Sequence, residues 1–283
     1  MIEKNFFKPK QSINVKGKLI DLSSPKVMGI LNITPDSFYS NSRTKSVNDA
    51  LTKTEQYLKE GATFIDVGGY SSRPGAKNIA AEEELSRLVP IIKSLINAFP
   101  EVIISVDTFR ARVAEECVYV GASIINDISA GDMDELMFKT IAKLKVPYIM
   151  MHMQGTPQNM QQNPNYKNVL LDVIDYFSNK VSELTALKIH DVIIDPGFGF
   201  GKTIEHNYEL LNQLEAFKIF KLPILAGVSR KGMIHKVLES KAEEALNGTS
   251  VLNTIALQKG AGILRVHDVK EAMECIKLVA MLK

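Results

Sequence analysis

Tryptophan is absent from this 283-residue chain, and cysteine occurs twice, at Cys117 and Cys275. Two cysteines so far apart, without a CxxC spacing, support neither a disulfide scaffold nor a structural zinc site. Each lies in a helical-looking stretch, RVAEECVYV and EAMECIKLV, where burial in a core accounts for it. An excess of one charge is also lacking: the formal net charge is +2, which offers no broad basic field for nucleic acid and no hint of a membrane surface. No apolar run reaches membrane-spanning length, and the opening MIEKNFFKPKQSINVKGKLID lacks the charged-then-apolar layout of a secretory signal. The expectation is a cytoplasmic protein with small-molecule partners, without nucleic acid or membrane.

What is present is an alternation. From residue 27 onward, short Ile- and Val-rich runs recur: KVMGILN, ATFIDVGG, EVIISVDT, ASIINDIS, VPYIMMH, DVIIDPG, LPILAGV and AGILRVH. They carry apolar side chains on both faces, as buried parallel strands do. Helical patterns separate them, at 49–60, 81–98, 110–120, 134–143, 166–187 and 206–217, with a long seventh crossover over 231–259 holding up to two helices and a last helix over 269–282. Eight such units in one chain of this length predict a single α/β domain, a (β/α)8 TIM barrel, over residues 25–283. An open doubly wound sheet is the alternative, because periodicity does not show closure. Residues 1–24 form a short N-terminal extension, expected as a hairpin plugging the barrel bottom.

The stretch IIDPGFGFGKT, residues 193–203, has the look of a nucleotide loop but fits neither glycine pattern. A P-loop needs glycine where Pro196 stands, and the dinucleotide fingerprint needs one where Lys202 stands. Polar residues instead mark the strand ends: Asn32, Asp66, Asp107, Asn126, His152, Asp195, Ser229 and His267. One of them is a helix cap by ordinary odds; eight point to a site at the C-terminal face, where barrels place their chemistry.

Asp107 and Asp195 lie in apolar strands and need hydrogen-bond donors, such as the planar N–H edge of an aminopyrimidinone ring. Metal caging is the competing use, but no HxxxH or clustered carboxylate spacing supports it. Ser229 is expected as the N-cap of the helix after strand seven, with free N–H groups for a carboxylate or phosphate. Arg265 and His267, two apart, point to one side of the last strand, an end at which barrels bind phosphate.

Taken in order, MGILNITPDSF, DVGGYSSRPGA, SVDTFRARVA, INDIS, MHMQGTPQNMQ, DPGFGFGKT, GVSRKGMI and RVHDV resemble the dihydropteroate synthase family of folate biosynthesis. The resemblance covers nearly the whole chain beyond its first 25 residues, and its family fold is the barrel. It implies a transferase that joins (7,8-dihydropterin-6-yl)methyl diphosphate to 4-aminobenzoate, giving 7,8-dihydropteroate and diphosphate. It further implies Mg²⁺, associated with Asn32, a place among the sulfonamide targets, and a homodimer through the late helices.

By the same resemblance, Asp107, Asn126, Met151, Asp195, Lys231 and Arg265 hold the pterin. Asn32, Ser72, Arg73, Arg265 and His267 hold the diphosphate. Phe38, Ser72, Pro74, Phe200 and Ser229 frame the aminobenzoate slot. Asp107, Lys231, Arg265 and His267 carry the catalysis, by a dissociative route in which the dihydropterin delocalises positive charge and a neutral arylamine attacks without a general base. The family role gives Lys202 no assignment, and a solvated lysine and a functional one are equally open.

The first loop departs from the usual TPDSFSDGG: Ser40, Asn41 and Ser42 replace an aspartate and a glycine pair. That loss leaves a non-catalytic pterin-binding paralogue as one rival. A corrinoid-linked methyltetrahydrofolate methyltransferase, which needs no diphosphate site, is the other.

Overall fold

The computed structural model describes residues 10–33, 43–72, 75 and 78–282, with only the backbone described at 43–46. Its first elements are β1 (Ser12–Val15) and β2 (Lys18–Asp21), an antiparallel hairpin. The turn between them uses Lys16 and Gly17, both at positive φ, and the Gly17 N–H donates to the Asn14 side chain at 2.8 Å. Two positive-φ residues give the turn whose twist matches the paired strands.

Eight parallel strands follow: β3 (Lys26–Asn32), β4 (Phe64–Gly68), β5 (Ile103–Asp107), β6 (Ile124–Asp127), β7 (Tyr148–Met151), β8 (Val192–Asp195), β9 (Leu225–Ala226) and β10 (Ile263–Val266). Each pairs with its neighbour in sequence from β3 to β8, and β10 pairs with both β3 and β9. The remaining seam, β8 to β9, is joined by a parallel bridge between Ile194 and Ile224 and by the Ile194 N–H donating to the Pro223 carbonyl at 3.0 Å. The sheet is therefore a barrel and not an open doubly wound sheet.

Helices α1 (Arg43–Glu60), α2 (Ala81–Ala98), α3 (Ala111–Tyr119), α4 (Met137–Leu144), α5 (Val169–Ala186), α6 (Ile204–Asn212), α7 (Gly232–His235), α8 (Leu246–Gln258) and α9 (Val269–Ala280) make the crossovers. The seventh crossover divides into α7, a 3₁₀ turn at Ala242–Glu244, and α8. Helix boundaries differ from the sequence reading where side chains take over backbone bonds. Thr203 and His206 form a capping box that starts α6 at Ile204, and the chain after Asn212 tightens into a 3₁₀ turn at Leu214–Phe220. Asp134 does not begin α4; its carboxylate accepts from the N–H groups of Ala111 and Leu136 at 2.8 and 3.0 Å.

Strand alternation explains where the core and the site lie. Val27, Ile65, Ile104, Ile125, Tyr148, Val192 and Leu264 belong to the large core shared with the helices. Their sequence neighbours Met28, Phe64, Ile124, Ile149, Ile193 and Ile263, with Leu225 of β9, form a second, inner cluster, against which Ile103 packs and which is closed from below by Ile13, Val15 and Leu22 of the hairpin segment. Because successive side chains alternate faces, stepping by two from that inner layer names the next inward positions. They are Ile30 then Asn32, Asp66 then Gly68, Ser105 then Asp107, Asn126, Met151, Asp195, Gly227, and Arg265 then His267. The barrel interior thus changes from apolar to polar in one or two steps.

Candidate functional site

Above this polar layer the barrel opens into a cavity of about 890 Å³. Of the residues expected there, Asn32, Ser72, Asp107, Phe200, Ser229, Lys231, Arg265 and His267 line it. Asn126, Met151 and Asp195 do not; they are buried, 4%, 3% and 5% exposed. Phe38, Arg73 and Pro74, together with Ser40, Asn41 and Ser42 of the first loop, lie outside the described residues.

One charged group organises the floor. Arg265 donates from Nε to Asp66 Oδ2 at 2.7 Å and from a terminal nitrogen to Asp107 Oδ2 at 2.9 Å. Asn126 Nδ2 donates to the same Asp66 oxygen at 3.0 Å. Asp66 therefore holds the planes of both the guanidinium and the carboxamide, while its other oxygen is buried with no hydrogen-bond partner among the described residues. Burial pushes the Asp107 carboxyl up to about 7 even though Arg265 beside it favours the anion, and Asp66 raises it further. Burial lowers the basicity of Arg265, but the carboxylates of Asp66 and Asp107 outweigh it and raise its pKa.

The second charged set stands across the barrel. Burial raises the Asp195 carboxyl, against the opposing effects of Lys231 and of the Gly197 N–H, which donates to Asp195 Oδ1 at 2.8 Å. Lys231 donates to the Phe198 carbonyl at 2.5 Å and lies 4.7 Å from the centre of the Phe200 ring. Burial lowers its pKa to about 8, with Asp195 acting in the opposite sense. Gly227, between these groups, leaves space: a Cβ there would stand 3.8 Å from Lys231 Nζ and 3.9 Å from Asp195 Oδ2. Donors and acceptors at fixed positions around a buried gap suit a flat, polar heteroaromatic ring.

Two alternatives open in the sequence do not hold. Ser229 is not a helix N-cap. Lys231 occupies that position for α7, and Ser229 Oγ instead contacts His267 Nδ1 at 3.1 Å and accepts from the His267 N–H at 3.2 Å. Lys202 is not solvated: it is 3% exposed, with its ammonium against His152 Nδ1 and three carbonyl oxygens. Arg230 forms a two-pronged pair with Asp268, both bonds 2.8 Å, and also donates to the Ala242 and Glu243 carbonyls. It thereby ties the β9 and β10 ends together.

Sequence reasoning noted Asp66 as a strand-end polar residue but gave it no place in the site. The available signal was a carboxylate inside the otherwise apolar run FIDVG, which demands cationic or donor neighbours.

A family model for pterin-binding enzymes matches residues 28–267. The chain is 44% identical to the dihydropteroate synthase of Haemophilus influenzae over 263 residues, covering 92% of this chain and 95% of that protein. Among solved structures, that of the Yersinia pestis dihydropteroate synthase with a sulfonamide drug superposes with a TM-score of 0.90 at 40% identity, over 96% of this chain and 98% of that one. The Xanthomonas albilineans dihydropteroate synthase with 4-aminobenzoic acid gives a TM-score of 0.90 at 34% identity, with the same coverage. The chain belongs to the pterin-binding enzyme family, a class of (β/α)8 barrels, and within it to the dihydropteroate synthases.

Proposed function

We propose that the site condenses (7,8-dihydropterin-6-yl)methyl diphosphate with 4-aminobenzoate, forming 7,8-dihydropteroate and diphosphate. One observation carries the residue-level reading. Asp195 with Lys231, and Asp107 with Arg265 and Asn126, converge on a single buried floor beneath a cavity large enough for two substrates. Sequence kinship with enzymes of this name supports the same activity.

In this reading Asp195 accepts from the pterin 2-amino group and ring N–H, paying part of its desolvation cost with two charge-assisted bonds. Lys231 donates to the ring carbonyl, and Asn126 reads a neighbouring edge. Met151 and the Arg265 guanidinium lie against the ring faces. Ser72, Arg73, Arg265 and His267 hold the diphosphate. Phe38, Ser72, Pro74, Phe200 and Ser229 surround the aminobenzoate.

The C–O bond to diphosphate breaks with its electron pair leaving on oxygen. The exocyclic carbon is then cationic, stabilised by ring nitrogens and by the Asp107 carboxylate nearby. The arylamine nitrogen attacks that carbon and afterwards loses a proton to solvent. Fixed charges, already held by Asp66 and Arg265, need no reorganisation as the cation forms.

Among the described residues no group of three or more His, Cys, Asp or Glu is placed to hold a metal ion. A magnesium ion fits on other terms: Asn32 supplies one carboxamide oxygen, and diphosphate oxygens and water supply the rest. Gly68 keeps that space open, since a Cβ there would come 3.6 Å from Asn32 Oδ1. When bound, the ion would neutralise charge on the leaving diphosphate.

The late helices carry the homodimer reading. Leu278, Met281 and Leu282 at the end of α9 are 71%, 83% and 72% exposed, and Val251 on α8 is 51% exposed. Exposed apolar side chains of this kind suit contact with a second copy of the chain. A cytoplasmic location accords with water-soluble substrates, and among the described residues no helix is long and apolar enough to cross a membrane.

Coupled measurement of diphosphate and dihydropteroate from the two substrates tests the activity. Equal amounts of both products are expected. Pterin binding without diphosphate release would indicate a non-catalytic paralogue, and transfer of a methyl group from methyltetrahydrofolate would indicate the corrinoid-linked enzyme.

A further inference from the structure

Lys202 belongs to the glycine-rich stretch but has no part in the chemistry described so far. Its buried Nζ meets His152 Nδ1 at 2.9 Å, the His152 carbonyl at 3.2 Å, and the Gly197 and Phe200 carbonyls at 3.0 Å each. His152 follows β7, whereas Gly197 and Phe200 belong to the loop after β8, so one ammonium group joins two strand ends. The contact is close throughout: a Cβ on Gly197 would come 1.9 Å from the His152 carbonyl oxygen.

Every hydrogen-bonding partner of this ammonium is an uncharged acceptor. For His152 to accept at Nδ1, its ring must be neutral with the proton on Nε2, and burial does hold its pKa well below the ordinary value. Burial likewise lowers Lys202 to about 7, whereas Asp195 raises it and Lys231 lowers it. The titratable groups around it are His152 after β7, Asp195 at the end of β8 and Lys231 at the start of α7. Tyr166, whose hydroxyl donates to the Gly201 carbonyl at 2.7 Å, lies tilted against His152, Tyr176 meets that ring edge to face, and His206 of α6 meets Tyr166 edge to face.

Lys231 approaches the same loop and takes the Phe198 carbonyl. The two lysines therefore divide the loop's carbonyls, Lys231 holding that of Phe198 and Lys202 those of Gly197 and Phe200, and both reach the cavity wall.

We propose that Lys202 is a positioning residue of the condensation: it pins the Asp195–Lys202 loop to the end of β7, sets Phe200 as a wall of the aminobenzoate slot, and lends positive charge to Asp195 beneath the pterin. This rests on the substrate reading above. It also explains why the loop carries a buried ammonium, which is costly to desolvate, where a neutral donor would satisfy fewer carbonyls.

Lys202→Met keeps an unbranched side chain and removes both the donors and the charge. Saturable binding of both substrates to the wild-type protein is the control, and its failure counts against the substrate reading and not against Lys202. In the folded variant, KM for aminobenzoate should rise about tenfold or more, since small misplacements of a positioning wall are amplified in this way. Affinity for a bare pterin should fall more at about pH 6 than at about pH 8.5, because Lys202 carries its charge below about 7 and has lost it above.

A purely structural strut would weaken pterin binding equally at both pH values, and that result, or unchanged aminobenzoate KM, overturns the proposal. If Lys202→Met does not fold, amide exchange in the wild-type protein decides. Protection of Gly199 and Phe200, relative to the intrinsic exchange rate, should decline as pH rises through about 7, where Lys202 loses its proton. Protection that stays constant across that range overturns the pin.

Discussion

Gly227→Ala separates the space the ligand needs from the space the fold needs. The added methyl would stand 3.8 Å from Lys231 Nζ, 3.9 Å from Arg265 Cβ and 3.9 Å from Asp195 Oδ2, all ordinary van der Waals distances. The glycine is not among the residues with positive φ, so alanine fits its backbone. Folding should be unharmed or gain about 0.4–1 kcal/mol, because alanine restricts the unfolded chain. The pterin ring is the group expected to fill this gap, and the methyl would stand in its way. Forced overpacking costs about 1–3 kcal/mol, which lowers affinity about 5- to 150-fold. Calorimetric titration with a bare pterin, beside thermal unfolding without ligand, measures both quantities. Unchanged affinity would place the ring elsewhere, and a marked loss of stability would show that the gap is not free space.

Asp195→Asn should cost about 3 kcal/mol or more in pterin affinity, because one charged acceptor is lost and an amide NH₂ meets ring donors; calorimetry measures it, and an unchanged Kd removes Asp195 from the ring. His267→Ala should weaken diphosphate-bearing ligands and spare a bare pterin, whereas Arg265→Ala should weaken both and also free Asp66 and Asp107; equal effects of His267→Ala on the two ligand types would refute this division. Lys231 is charged below its lowered pKa and loses its proton as pH rises through about 8. Pterin affinity should therefore decline on that alkaline side, and Lys231→Arg, if it binds pterin, should lack the decline; an identical alkaline limb in the variant assigns it to another group.

The barrel and the face that holds the site were legible because both follow from period-two alternation. Stepping inward from Phe64 reaches Asp66, and from Ile263 it reaches Arg265 and His267, without any knowledge of closure. Closure itself depends on a bridge at the short β9 edge, Ile194 to Ile224, which leaves no pattern in the chain.

Non-local partners were the other gap. Lys202 stays open between a solvated and a functional lysine until the β7 end, 50 residues earlier, delivers His152 to it. Ser229 reads as an N-cap because a strand end followed by Ser usually is one. A turn instead intervenes, with Arg230 at φ 55° and the Lys231 N–H donating to the Val228 carbonyl at 3.2 Å, and it moves the helix start to Gly232. Asp66 was visible as a polar strand residue, but its hold on both Arg265 and Asn126 required three strands to be brought together.

The central claim is that Asp195 reads the pterin edge while Arg265, fixed by Asp66 and Asp107, covers its face. A crystal structure of the protein with a pterin diphosphate analogue tests this most directly. The account predicts the Asp195 carboxylate within hydrogen-bond distance of both the 2-amino group and the adjacent ring N–H, with the ring filling the gap at Gly227 and the diphosphate directed toward His267. A ring bound elsewhere in the cavity, with Asp195 still bonded only to the Gly197 N–H, would contradict it.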